Sequence, residues 1–369
     1  MDEFEACFSD LEDPREPNAR HNLLEILMIA QCTMLCGGED CTDMELFGRA
    51  KEPFLRQFLR LPHGIPSHDT FSRVFRLLDP VKFHACFLRF MQRFAETTQG
   101  VLALDGKTLR HSFDRAAEIS ALHLVSAWAA EQRLVLAQLA VDDKSNEITA
   151  VPKLLEMLSL KGRIVTADAL NCQRDIARQI VDQGGDYALA LKGNQGRLHA
   201  DVVLFLDDPQ LVPDGTHTTV DGDHGRIETR GATVSYDIAW LQEQHAWPGL
   251  AAIAKIQRSR EIGAKLTSET AYYLLSTPLS AERFCHVVRS HWGIENSLHW
   301  VLDVTMNEDQ SRNRKGHGPE NIALLRRFAL NLARSEPSKG SMKGKLKRAG
   351  WDDAFLAKLL TNSTCLQMR

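Results

Sequence analysis

The spacing of apolar positions changes near residue 100. Before it, apolar residues recur at helical intervals. NLLEILMIAQCTMLCGG predicts a helix that stops at Gly37 and Gly38. DMELFGRAKEPFLRQFLRL predicts another, PHGIPS breaks the pattern, and HDTFSRVFRLLD resumes it with Ser67 or Asp69 as the cap. Arg73 and Arg76 face outward on this last helix, so a helix-turn-helix is compatible. The turn is longer than that motif's usual three or four residues, and a plain bundle fits equally well.

Beyond residue 100 short apolar runs predict strands. VLALDGKTL is the first and reaches Asp105 and Gly106, where it is expected to end. LHLVSAWAAE and LVLAQLAVDD, parted by a polar break at Gln132 and Arg133, predict a hairpin. ITAVPKLLEMLSL is helical, and RIVTADAL is a buried strand ending at Asp168. NCQRDIARQIVDQGG is a helix with Asn171 as its expected cap, DYALALKGN is a further strand, and GRLHADVVLFL closes the series as a helix. Residues 207–279 are rich in Pro, Gly, Asp and Thr, then strand-like, and predict a β-rich insertion. One long helix is expected from Ser280 through SAERFCHVVRSHWGIENSLHWVLDVTM, and a last one over PENIALLRRFALNLARS. The division is therefore a helical region over 1–97, an α/β core over 98–206 and 280–335, the insertion, and a basic tail over 336–369. In that tail Lys339, Lys343, Lys345, Lys347 and Arg348 are expected to be mobile.

The 369 residues are enough for about two or three domains. With 44% hydrophobic and 25% charged residues and no apolar run of membrane-spanning length, a soluble protein is expected. The acidic N-terminal segment lacks a signal-peptide core, which points to the cytoplasm. Eight cysteines form no C-x-x-C pair, so free thiols are expected. The net charge of −4 does not advertise a nucleic-acid binder, so any such role must rest on local patches such as Arg312, Arg314 and Lys315.

Three carboxylates stand out by position. Asp105 and Asp168 come at strand ends, where open α/β sheets bind ligands. Glu295 lies on the long helix between His291 and His299, spaced four apart on one face, with Trp292 beside them. On a helical wheel Val287, Ile294, Leu298 and Val301 form the core stripe and Glu295 sits at its rim. The element order sets the first and fourth strands side by side, as in ribonuclease-H-like folds, so Asp105 and Asp168 approach each other. Two hard oxygen ligands plus a third suit Mg²⁺ or Mn²⁺ better than zinc, despite the ligand-like histidine spacing.

ALDGKTLR, VTADALNCQ, ALALKGNQ, HGRIETR, SHWGIENSLHWVLDV and EDQSRNRKGHGPENIALLRR resemble the H-repeat-associated group of insertion-sequence transposases, which are DDE enzymes. GIPSHDTFSRVFRLLDP resembles that group's associated N-terminal domain, and the likeness runs in order from about residue 10 to residue 335. It implies a ribonuclease-H-like mixed sheet with flanking helices, and Asp105, Asp168 and Glu295 as the DDE triad. It also implies Mg²⁺ or Mn²⁺ as cofactor, metal-dependent strand cleavage and strand transfer, and DNA as partner through the element's terminal inverted repeats and its target. A homo-oligomer on DNA is expected. Related transposases carry Tyr, Arg and Lys seven before, four before and seven after the Glu. Here those positions are Val288, His291 and Leu302, so the phosphate-contacting roles pass to other groups. Lys107, Lys192, Arg226, Arg230, Arg289, His291, Trp292, His299, Arg312, Arg314 and Lys315 are the candidates for DNA contacts. Arg289 and the 312–315 cations are expected to flank the Glu295 helix. Rival readings are a nuclease of the same fold without strand transfer and an inactive DNA-binding relative.

Overall fold

A computed structural model describes residues 2–95, 100–114, 118, 120–141, 147–223, 226–263 and 265–361. Six helices come first: α1 (Asp2–Phe8), α2 (Leu23–Leu35), α3 (Cys41–Ala50), α4 (Glu52–Leu55), α5 (His68–Leu77) and α6 (Pro80–Ala95). Asn22 caps α2 through hydrogen bonds from the Leu24 and Glu25 N–H groups, and Ser67 rather than Asp69 caps α5. α2 ends just before Gly37, whose φ of +86° suits a residue without a side chain.

Three strands follow: β1 (Gly100–Thr108), β2 (His123–Ala129) and β3 (Leu134–Val141). Then come α7 (Glu147–Glu156), β4 (Arg163–Ala167), α8 (Arg174–Asp182), β5 (Asp186–Leu191) and α9 (Gly196–Leu206). β6 (Gly215–Asp223), β7 (Arg226–Ser235), α10 (Ala239–His245), β8 (Ala252–Ile262) and β9 (Lys265–Leu275) make up most of the inserted region. The chain ends in α11 (Ala281–Ile294), a π-helical turn (Glu295–His299), α12 (Trp300–Val304), α13 (Gly318–Ser335), α14 (Met342–Trp351) and α15 (Asp353–Thr361).

All nine strands form one sheet in the order β3-β2-β1-β4-β5-β9-β8-β7-β6. β1 pairs antiparallel with β2 and parallel with β4, and β4 pairs parallel with β5, so the first five strands have the ribonuclease-H-like order. The inserted strands are not a separate body. β9 pairs antiparallel with β5 and carries β8, β7 and β6 outward from there. An edge strand left bare would expose a row of unpaired backbone groups, and β9 covers it.

Side chains alternate across the sheet. Leu102 and Leu104 of β1 share a core with α7 and the helical half, whereas Val101 shares one with Val287 and Val288 of α11. α11 touches β1 and β4 as well as β6 and β7, so the sheet curls around it. Ser280 caps its start near Gly215 of β6, and its far end brings Glu295 to β1. α13 is buried through most of its length and packs on α2, α5, α6 and β3. The Asn331 amide exchanges two hydrogen bonds with the Val135 backbone, and Asn321 donates to the Phe75 and Leu78 carbonyls.

Three expectations are corrected. Strand β1 runs past Asp105, because Lys107 and Thr108 still pair with Leu124 and His123. Asn171 does not cap α8; Asp168 instead caps a short 3₁₀ turn, Ala169–Asn171. Nor is the basic segment after residue 335 a mobile tail as far as Thr361. α14 and α15 bury Leu346, Phe355, Leu356 and Leu359, and Lys345 donates to the Ala333 carbonyl.

Candidate active site

In the parallel ladder Ala103 faces Thr166; two residues further along each chain come Asp105 of β1 and Asp168, just past β4, and both line one cleft. Asp105 accepts a hydrogen bond from the Gly106 N–H (2.9 Å). A side chain at Gly106 would force the Glu147 carboxylate and the His123 ring to shift, since a Cβ there meets both. Asp168 Oδ1 accepts from both the backbone N–H (3.2 Å) and the side-chain amide (3.0 Å) of Asn171. Behind it lies a buried chain of polar groups. The Asn171 amide donates to Glu147 Oε2 (3.2 Å), Glu147 Oε1 lies 2.6 Å from His123 Nε2, and His123 Nδ1 lies 2.8 Å from the Thr108 hydroxyl.

Glu295 approaches from above. The helix does not continue regularly through it: the Trp300 N–H bonds to the Glu295 carbonyl, one residue wider than an α-turn. This turn lets the adjacent Leu298 and His299 both be buried. His299 Nδ1 stands 3.4 Å from Glu295 Oε2 and 3.5 Å from Asp105 Oδ2. Burial pushes the Asp105 carboxyl up to about 7; His299 opposes this, while Glu295 and Asp168 push the same way. The His299 imidazole beside it holds Glu295 below the usual carboxylate range. Burial pushes His291 down to about 4, and its Nδ1 lies 3.0 Å from the Thr166 hydroxyl. A neutral His291 can hydrogen-bond a phosphate but cannot replace an arginine's charge.

A cleft of about 320 Å³ opens over these groups. Asp105, Asp168, Lys192, His291, Trp292 and Glu295 line it, together with Arg258 of β8 and Glu269 and Tyr273 of β9. Trp292 is half exposed, with the Arg258 guanidinium 4.9 Å from its ring centre. Asp105, Glu295 and His299 each present a donor atom within 4.8 Å of the others, a set able to hold a cation.

The expected cations are divided. Lys192 is exposed at the cleft rim, and Arg226 is exposed at the distal end of β7. Lys107 is buried, its Nζ held by Asp303 (2.7 Å), Asp309 (3.1 Å) and Glu308 (3.5 Å), so within this fold it is a structural cation. Arg230 pairs with Asp221 (2.5 Å) and Glu228 (2.7 Å), and Arg289 with Asp221 (2.9 Å). Arg312, Arg314 and Lys315 do not line the Glu295 cleft. They line a second one with Asp69 and Arg76 of α5, and Arg314 donates to the His111 carbonyl. Glu147, His123 and Arg258 were missed by sequence reasoning. Glu147 opens a helix and His123 opens a strand, and nothing in their spacing shows that they meet.

Two family models match the chain: "DDE_Tnp_1-associated" over residues 5–91 and "Transposase DDE domain" over 96–332. The chain is 38% identical over 353 residues to the "H repeat-associated putative transposase YhhI" of Escherichia coli (strain K12), covering 93% of each. It is 46% identical over 274 residues to the "Uncharacterized protein in dhlA 3'region" of Xanthobacter autotrophicus, covering 73% of this chain and 92% of that one. A cryo-EM structure of a piggyBac transposase synaptic complex with hairpin DNA aligns at a TM-score of 0.46 and 11% identity, over 97% of this chain and 77% of that one. The family matches and the ribonuclease-H-like strand order agree: this chain belongs to the DDE transposase family.

Proposed function

We propose that this transposase cleaves DNA at the ends of an insertion sequence and joins the freed ends to a target, with Asp105, Asp168 and Glu295 as its catalytic and metal-binding carboxylates. One observation carries the reading. Asp105, Asp168 and Glu295, from β1, the end of β4 and the end of α11, line the same cleft, which supports a shared role. The donor set fits a divalent cation, because hard carboxylate oxygens gathered in a half-buried cleft repel one another until a cation neutralises them. Mg²⁺ or Mn²⁺ bound there would lower the pKa of an attacking water and neutralise charge on the phosphodiester.

The protein's own groups do the rest. Asn171, braced by Glu147 and His123, fixes the Asp168 carboxylate. Trp292 and Arg258 form an aromatic and cationic wall along which a strand can lie. Lys192 meets a phosphate at the rim. Water attacks the phosphodiester at the element end and breaks its bond to the 3′-oxygen, and the released 3′-hydroxyl then attacks a target phosphodiester in line, displacing the target strand's own 3′-oxygen as a hydroxyl. The terminal inverted repeats and target DNA are the partners, and a homo-oligomer bridges the two ends in the cytoplasm.

Supercoiled plasmid carrying the DNA that flanks the gene tests this reading. Incubation with the protein and Mg²⁺ should give nicked ends and joined products. Nicked ends with no joined product would reduce the activity to that of a nuclease.

A further inference from the structure

We propose that His299 is itself a metal ligand, completing a nitrogen–oxygen site with Asp105 and Glu295 that prefers Mn²⁺ to Mg²⁺. The inference rests on the carboxylate reading above and adds a fourth member to its donor set.

Distance is the first argument. An imidazole paired with a carboxylate by a charge-assisted hydrogen bond stands about 2.7–2.9 Å away. His299 Nδ1 stands 3.5 Å from Asp105 Oδ2 and 3.4 Å from Glu295 Oε2, too far for either and nearly equal for both. Two ligand atoms about 2.1–2.2 Å from one ion lie about 3.0 Å apart at an octahedral right angle and further apart as that angle opens, so spacings of this size leave room for a cation between the three groups.

Burial is the second. His299 is only 6% exposed, and its Nε2 has no hydrogen-bond partner among the described residues. No hydrogen bond at Nε2 therefore orients the ring. It is held with Nδ1 toward the two carboxylates. The backbone agrees: a wide turn spans Glu295–His299, with Leu298 and His299 both buried in it, and such turns are frequent at functional sites.

The neighbours separate the roles. His291, one α-turn before Glu295, spends its Nδ1 on the Thr166 hydroxyl. Asp168 Oδ1 accepts two hydrogen bonds from Asn171, and Asp168 is outside the close three-donor group. A nitrogen donor favours metals later in the first transition series over Mg²⁺, which keeps to oxygen.

Electron-spin-echo spectroscopy of the metal-stripped full chain titrated with Mn²⁺ is the test. The wild-type protein should show modulation from one directly bound imidazole ¹⁴N. His299→Gln should lose that modulation, weaken Mn²⁺ binding about 10-fold, and lose most of the preference for Mn²⁺ over Mg²⁺ in competition. His291→Ala should keep the modulation. The wild-type spectrum needs no variant to fold. Mn²⁺ bound with no nitrogen modulation, yet displaced by Asp105→Asn, would overturn the ligand and leave the carboxylate site standing. Mn²⁺ binding insensitive to both Asp105→Asn and Glu295→Gln would overturn the site and the ligand together.

Discussion

The two halves of the sheet are built differently. In β1–β5 nearly every side chain is covered: β2 is buried at all its positions, and Trp128 is 1% exposed. In β6–β9 only the part near α11 is covered. β9 has its first six residues exposed and its last four buried, and Val220 and Leu266 are 64% and 68% exposed. The first half holds Asp105 and Asp168 near one another, while the second reaches past the core as an exposed ribbon. Their seam, β5 against β9, forms the floor of the cleft, where a rigid carboxylate edge faces Arg258 and Glu269. Positioning belongs to the covered half and reach to the exposed half.

That contrast predicts where stability resides. Glu308 and Arg327 pair at 2.6 Å, both fully buried beneath the first half. Glu308→Leu strands the guanidinium, and urea denaturation should show a loss of about 3–5 kcal/mol. A loss below about 1 kcal/mol would mean that the covered half tolerates a buried unpaired charge and is not the rigid partner.

A smaller effect is expected with pH. His84, buried against the Gln138 N–H of β3, is pushed down to about 4 by burial. The unfolded chain takes up this proton near pH 6.5, and the folded one resists it to about pH 4. Its contribution is fully present above about 6.5 and is lost as pH falls between the two values, by up to about 1.4 kcal/mol per unit. His84→Phe should flatten that part of a stability–pH curve. An unchanged slope would assign the acid sensitivity elsewhere.

The smallest effects on stability belong to exposed arginines. Arg226→Ala on the ribbon and Arg312→Ala beside α5 should each change stability by under about 0.5 kcal/mol. Each that meets a phosphate should lower the salt slope of DNA binding by about one unit. Whichever variant leaves the slope unchanged excludes its side of the molecule from the DNA path.

Much of this was legible in the chain. Short apolar runs gave the strands, and their order set β1 beside β4. Pairing was less visible. Residues 207–279 read as β-rich, but no periodicity says that β9 adds to β5 and continues the same sheet. Side-chain partners were least visible: Lys107 reads as a free cation at a strand end until Asp303, Glu308 and Asp309 close around it. The 336–361 segment read as basic because its lysines are conspicuous, while Leu346, Phe355, Leu356 and Leu359 bury one face of α14 and α15. The i, i+4, i+8 spacing of His291, Glu295 and His299 marked the helix correctly as unusual. The π-turn that sets His299 apart from His291 has no sequence signature.

The central claim is that Asp105, Asp168 and Glu295 act together on DNA without being needed to hold it. It is tested most directly by Asp105→Asn, Asp168→Asn and Glu295→Gln, each assayed for nicking and for affinity on one duplex carrying the gene's flanking sequence. Each variant should lose at least about 10²-fold in cleavage, with DNA affinity within about 2-fold of the parent, because each removes a metal ligand and no phosphate contact. Cleavage at the parent rate by Asp105→Asn or Asp168→Asn would contradict the account.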